Sequence, residues 1–179
     1  MRLSKWSYRA DFAVYPILAA TAASLALAHA TRAQGEAGMI ALLAGVLVWT
    51  LVEYVLHRWV LHRLQPFKRL HEVHHANPSG FIGTPTWFSA ALFMALWGAL
   101  AATMPRAIAG GLIAGLMLGY LAYTLLHDAL HHRRARPGGW LHRAKLRHAR
   151  HHRPGARTDF GVSTDLWDRL FATDCRLVR

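Results

Sequence analysis

The stretch MIALLAGVLVWTLVEYVLHRWVL, Met39 to Leu61, is apolar over most of its 23 residues and carries its only acid, Glu53, four residues before His57. As a helix it is about 35 Å long, enough to cross a hydrocarbon core about 30 Å thick. That reading decides the fold class. Three more segments share its length and character: Phe12 to Ala30, Thr86 to Met104, and Ala107 to Leu126. Together they predict an all-α integral membrane protein with four transmembrane helices, at 12–30, 39–61, 86–104 and 107–126.

Composition agrees. Apolar residues make up 54% of the chain and charged residues 17%, against about 25% charged in an ordinary soluble domain. At 179 residues the chain predicts a single domain, 1–179. The lone Cys175 excludes an intrachain disulfide framework. In the first span, Arg2, Lys5 and Arg9, the apolar run and the triplet Ala28-His29-Ala30 also have the form of a secretory signal peptide. The length of the leader and of the run favours a retained span.

The formal net charge is +12, and its distribution gives the sidedness. Basic residues cluster in the leader, between Arg58 and Arg69, and in twelve positions from Arg133 to Arg179, while Arg32 and Arg106 are single charges in the other two connections. By the positive-inside rule both termini and the middle loop are cytoplasmic. Residues 62–85 and 127–179 then form a cytosolic helical cap. In the fourth span Gly111, Gly115 and Gly119 repeat every four residues, a strip of bare backbone that permits close helix packing in lipid.

Twelve of the 13 histidines fall on that predicted cytoplasmic side, with His29 the exception. The second and fourth spans must end on the same face, because a helical hairpin separates them. HEVHH, His71 to His75, and HARHH, His148 to His152, both place histidines at i, i+3 and i+4, on one helical face. His127 and His131 form a further i, i+4 pair. His57 and His62, at i+5, sit about 140° apart on a regular helix. They can act together if the span unwinds near its end, or separately if they approach two metals from different sides. Read as H-E-x-x-H, HEVHH is also the zinc-protease signature, with Glu72 as general base. That reading leaves eight or more histidines idle. The second cluster has Ala149 in the glutamate position, and the motif lies outside the apolar spans. Ten converging imidazoles suit two metal ions better, and imidazole binds both iron and zinc. A closed structural zinc site would ordinarily use cysteines that are not available in the cluster.

In this order the motifs HRWVLH, HEVHH, HDALH and HARHH resemble the histidine boxes of the fatty acid hydroxylase superfamily. These membrane enzymes include fatty acid and sphingolipid 2-hydroxylases, sterol oxidases and carotenoid hydroxylases. The match runs from about Glu53 to the end, and the tail FGVSTDLWDRLFAT resembles the 2-hydroxylase branch, with Ala172 where glycine is expected. The resemblance implies a dimetal centre, iron when active, with zinc as the alternative in the isolated protein, that uses O2 and two electrons to hydroxylate a lipid acyl chain. It implies as ligands His57, His62, His71, His74, His75, His127, His131, His148, His151 and His152. It also implies a separate electron donor, cytochrome b5-like or ferredoxin-like, because the cytochrome b5 domain fused to some relatives is not in this sequence. Sterol or carotenoid hydroxylation, or desaturation, would use the same histidines.

Glu53 is a costly charge within a span, one turn before His57. It is expected to orient that ring or a neighbour, as ligating imidazoles usually donate their second N–H to a carboxylate or carbonyl. Asp128, Asp159, Asp165 and His132 are weaker candidates for the same layer. Trp167 and Asp168 are expected to close the cap. A nucleic-acid role is disfavoured, because the aromatics do not interleave with the tail arginines as stacking requires. A metal-transport protein would need ionisable residues deep within its spans, and Glu53 is the one candidate.

Overall fold

The computed structural model describes residues 2–176, and the ends of the expected domain, Met1 and residues 177–179, lie outside the described residues. The described chain is helical. Its elements are α1 (Lys5–Arg9), α2 (Asp11–Leu27), α3 (Arg32–Val55) continued by a π-helical turn (Leu56–Leu61), α4 (Phe67–Ala76), α5 (Thr86–Thr103), α6 (Arg106–His132), α7 (Trp140–His151) and α8 (Leu166–Leu170). The one β-bridge among the described residues joins Arg2 and Ile82.

Four helical stretches are long and apolar enough to cross a membrane: Lys5–Leu27, Arg32–Leu61, Thr86–Thr103 and Arg106–His132. In the third, only 11% of the most apolar window is buried. Leu92 is 58% exposed, as is Leu43 on α3. Helices apolar on every side and this exposed need a hydrocarbon solvent.

Three spans differ in their bounds from those expected. The first covers Lys5–Leu27 rather than 12–30, because the backbone leaves the helix at Ala28 (ψ 117°) and turns left-handed at His29 (φ 65°). The second span begins at Arg32 rather than Met39, because Thr31 and Gln34 form a capping box. Thr31 N donates to Gln34 Oε1 (2.9 Å), and Gln34 N donates to Thr31 Oγ1 (3.4 Å). The fourth runs on to His132, because nothing after Leu126 breaks a helix and its ladder continues through the polar turn. Met104, extended ahead of Pro105, ends α5 where expected.

The chain divides into two compact units: 1–49 with 81–122, and 50–80 with 123–179. In the first, a Cβ on Gly111 would strike the carbonyl oxygen of Gly38, and one on Gly115 that of Leu42. The glycine strip therefore does allow α3 and α6 to meet backbone to backbone. An aromatic cluster fills the rest. Tyr15 lies 4.5 Å from Tyr120 between ring centroids, and Trp49 lies 5.2 Å from Tyr120. Asp11, just outside the expected first span, is buried and accepts a hydrogen bond from Tyr120 Oη (2.7 Å). Residues 81–85, expected in the cap, belong to this unit, where Leu3 N donates to Phe81 O (2.8 Å).

The second unit contains α4, α7, α8, the π-helical turn, and the ends of α3 and α6. Leu130, Ala144 and Val162 form its apolar core, with Tyr123, Leu126 and Leu141 packed around them. The segment after α7 returns along α3. Tyr54 Oη lies 2.9 Å from Thr173 Oγ1, and Trp167 Nε1 donates to Thr50 Oγ1 (3.0 Å). Ala172 has φ 52°, in the left-handed region that favours glycine, which is why a glycine suits this position. Relief of ~1–2 kcal/mol of strain, less ~0.5–1 kcal/mol for the freer unfolded glycine, leaves a net gain. Ala172→Gly is expected to raise the midpoint of thermal unfolding by about 2 °C. A fall on calorimetry would contradict this account of the turn.

Candidate metal centre

Nine histidines of the second unit gather into two groups within which the ligating atoms lie no more than 4.8 Å apart. The first group comprises His57, His62, His71, His75 and His151, and the second His74, His131, His148 and His152. The π-helical turn explains the first pair. Winding with i→i+5 hydrogen bonds returns residue i+5 over residue i, so His57 and His62 share one face with ring centroids 5.1 Å apart. The span end is thus locally underwound, the first of the two expected arrangements, and both rings fall in one group rather than two.

The two H-x-x-H-H boxes are each divided between the groups. HEVHH gives its i and i+4 rings, His71 and His75, to the first group and its i+3 ring, His74, to the second. HARHH does the reverse, with His148 and His152 in the second and His151 in the first. His127 falls outside both sets but adjoins the second, its Nε2 3.3 Å from that of His131 and its ring 4.8 Å from that of His74. The rings of His75 and His152 stack across the two groups at 4.2 Å.

The donor set fits metal ions. His57 Nδ1 donates to the carbonyl of Phe160 (2.5 Å) and His151 Nδ1 to that of Thr158 (2.9 Å). A carbonyl only accepts, so both rings keep the proton on Nδ1 and turn the Nε2 lone pair inward. The Nε2 atoms of His57 and His71 are 3.0 Å apart, those of His71 and His75 3.1 Å, and those of His131 and His148 2.9 Å. Bonds of ~2.1 Å to one ion, near right angles, give donor separations of ~3.0 Å. In the second group both ring nitrogens of His74 are buried without a hydrogen-bond partner, and an ion held by the group would take the lone pair of one of them.

Electrostatics favours the same species. Burial, as the main cause, holds His62 down to about 4, His74 and His151 to about 3 and His152 to about 2, and pushes His71 and His148 well below the usual imidazole range. At neutral pH these rings carry no proton on the inward nitrogen, which is the form a metal requires.

Glu72 joins neither group. It is exposed and faces Lys68 at 3.8 Å, and the zinc-protease reading of HEVHH leaves the whole second group without a role. Glu53 is buried but bonds to no histidine: Oε1 accepts from Val162 N (2.6 Å) and Ser163 N (2.9 Å), and Oε2 from Ser163 Oγ. It holds the backbone at 162–163, two residues beyond the Phe160 carbonyl that receives His57 Nδ1. Asp168, fully buried, holds the same segment, accepting from Phe160 N (2.8 Å), Gly161 N (2.7 Å) and Thr173 Oγ1 (2.7 Å). Asp128 is buried 4.0 Å from Arg133, Asp159 pairs with Arg150 (3.2 Å), and Asp165 meets Arg147, Arg169 and Arg176. His132 belongs to neither group. The residues that orient the rings, the carbonyls of Thr158 and Phe160, escaped the sequence reading, since every residue has a carbonyl.

The profile of the family described as fatty acid hydroxylase matches residues 42–173. The chain is 35% identical over 143 residues to a fatty acid 2-hydroxylase of Rattus norvegicus, covering 72% of this chain and 38% of that protein. It is 32% identical over 138 residues to a dihydroceramide fatty acyl 2-hydroxylase of Arabidopsis thaliana, covering 72% and 58% respectively. It thus spans well under two thirds of the length of these relatives. Among solved structures it is similar to full-length scs7p, of which only the hydroxylase domain is visible. The TM-score is 0.79 at 25% identity, over 97% of this chain and 67% of that one.

Proposed function

The chain belongs to the fatty acid hydroxylase family, and we propose that it hydroxylates a lipid acyl chain at carbon 2, with residues 1–179 acting as one hydroxylase-like membrane domain. The observation that supports this most directly is the pair of adjoining histidine groups. The first group, and the second completed by His127, would each hold one ion. A pair of iron ions bound there would supply O2 activation, inserting one oxygen atom into a C–H bond while two electrons and two protons take the other to water.

The protein's own residues supply the setting. Phe160 and Thr158 fix the tautomers of His57 and His151 through their carbonyls, and the neutral rings keep protons off the ligating nitrogens. The Phe160 ring, buried 5.3 to 5.9 Å from those of His57, His62 and His151, packs one side of the first group with an apolar surface. We place both termini and the histidine groups on the cytoplasmic side, from the distribution of Lys and Arg. There a separate cytochrome b5-like or ferredoxin-like carrier would deliver electrons.

Metal analysis of the purified protein, combined with mass spectrometry of lipids from expressing cells fed deuterated fatty acids, tests the proposal. The expected result is two metal ions per chain and a deuterated 2-hydroxy acyl product. Fewer than two ions, or metal uptake without that product, would overturn it, the latter in favour of metal storage.

A further inference from the structure

A cavity of about 850 Å³ lies within the second unit, bordered by His62, His71 and His75 of the first histidine group and by His152 of the second. Its size falls within the range of about 300–1,000 Å³ usual for small-molecule sites. The remainder of its wall is strongly cationic: Arg58, Arg63, Lys68, Arg153 and Arg157 line it, with Glu72 as the one carboxylate. Lys68 faces that carboxylate at 3.8 Å. No carboxylate lies within ion-pair distance of the four arginines among the described residues.

The fold holds two of these charges in place without neutralising them. Arg58 donates to the Tyr54 hydroxyl (2.7 Å) and its guanidinium lies 5.0 Å from the Trp59 ring centroid, while that of Arg63 lies 4.0 Å from the same centroid. Aromatic faces attract a cation and fix its position while leaving its charge available to a ligand. Arg153 and Arg157 are exposed on the segment following α7. Cations gathered around one concavity without counter-charges repel one another, and an anion entering the cavity relieves that repulsion. Guanidinium groups also match the planar oxygens of carboxylates and phosphates. Leu61 and Phe160 add apolar wall beside the same histidines.

We propose that this cavity binds the anionic head, a carboxylate or phosphate, of a single-chain acyl substrate. The inference rests on the hydroxylase reading, and it explains the cavity's position. Carbon 2 is one bond from the head carbon of the chain, so attack there requires the head to sit beside the histidine groups. In this protein the space beside them is cationic. A neutral sphingolipid head would leave those charges uncompensated, so the substrate class differs from the dihydroceramide in the name of the Arabidopsis relative.

The test is displacement of a fluorescent fatty acid from the full-length, metal-containing protein in nanodiscs of uncharged lipid. The competitors are palmitate, hexadecyl phosphate, hexadecanol, an N-acylsphinganine and inorganic phosphate. We expect the two anionic chains to displace the probe at least tenfold more effectively than either neutral chain. The Arg153→Gln/Arg157→Gln variant, which keeps Arg58, Arg63 and Lys68 in the wall, should lower that preference at least threefold while retaining its metal. The more potent of palmitate and hexadecyl phosphate identifies the head. Equal potency of neutral and anionic chains, or a preference unchanged in the double variant, overturns the proposal. Displacement by inorganic phosphate as effective as by palmitate overturns it in favour of a free-anion site. A charge-blind panel from a chain that still makes hydroxylated lipid refutes the inference alone. A charge-selective panel from a chain that makes none supports the anion site and refutes the hydroxylase reading.

Discussion

His71→Ala is expected to abolish the proposed 2-hydroxy product and to leave about one metal ion per chain where the parent protein is expected to hold two. His71 Nε2 sits between those of His57 (3.0 Å) and His75 (3.1 Å), so its loss opens the first group at its centre. The second group takes none of its ligands from this side chain. Loss of groups that merely orient a ligand lowers metal affinity or activity about 10–100-fold. Deleting a ligand from the middle of a set should cost activity at least the upper end of that range. His142→Ala is the matched control. That ring accepts a hydrogen bond from Gly138 N at the start of α7, away from both groups, so metal content and product should stay at parental levels. Two ions and undiminished product from His71→Ala would dissolve the assignment of the first group.

The ease with which these elements can be read from sequence follows the range of the interactions that create them. The spans are legible because solvent alone selects them: a run as apolar as Met39 to Leu61 has no other stable environment. The glycine strip is legible because bare backbone at every fourth residue has a direct packing consequence. The early start of α3 is also local, and the T-x-x-Q pattern of Thr31 and Gln34 gives it away once its reciprocal bonds are considered. The π-helical turn is different. The choice between i→i+4 and i→i+5 bonding over Leu56–Leu61 depends on what the rings of His57 and His62 meet, and those partners come from α4 and α7. The division of HEVHH between two groups is hidden for a similar reason, since i, i+3 and i+4 share a face but the face does not say how many centres it serves. Glu53 stood out as a charge within a span, yet its partners, Val162 and Ser163, are 109 and 110 residues away.

Asp168 shows how far from the metals the first group can be disturbed. Its carboxylate receives the backbone N–H of Phe160 and of Gly161 and the hydroxyl of Thr173. Burial pushes its acidity weaker, and these donors pull in the opposite direction. Asp168→Ala leaves two backbone N–H groups buried without a partner, at ~1–3 kcal/mol each. The sum is a sizeable share of the ~5–15 kcal/mol that holds a typical domain together, and corresponds to a fall on the order of 10 °C in the unfolding midpoint. The segment it releases carries the Phe160 carbonyl, so the His57 tautomer and ring angle loosen together. Metal affinity, measured by chelator competition below the unfolding midpoint, should therefore fall about 10–100-fold. Asp168→Asn keeps one acceptor oxygen and is expected to lie between the parent and Asp168→Ala in both measurements, which tests the idea even if the alanine variant fails to fold. Asp165→Asn loosens only partly exposed ion pairs with Arg147, Arg169 and Arg176, each worth less than about 1 kcal/mol, and should leave metal affinity in place. An Asp168→Asn protein with parental stability and parental metal affinity would show that His57 is held by something other than this carboxylate, and the chain of contacts from Asp168 through Phe160 to the first group would have no functional weight.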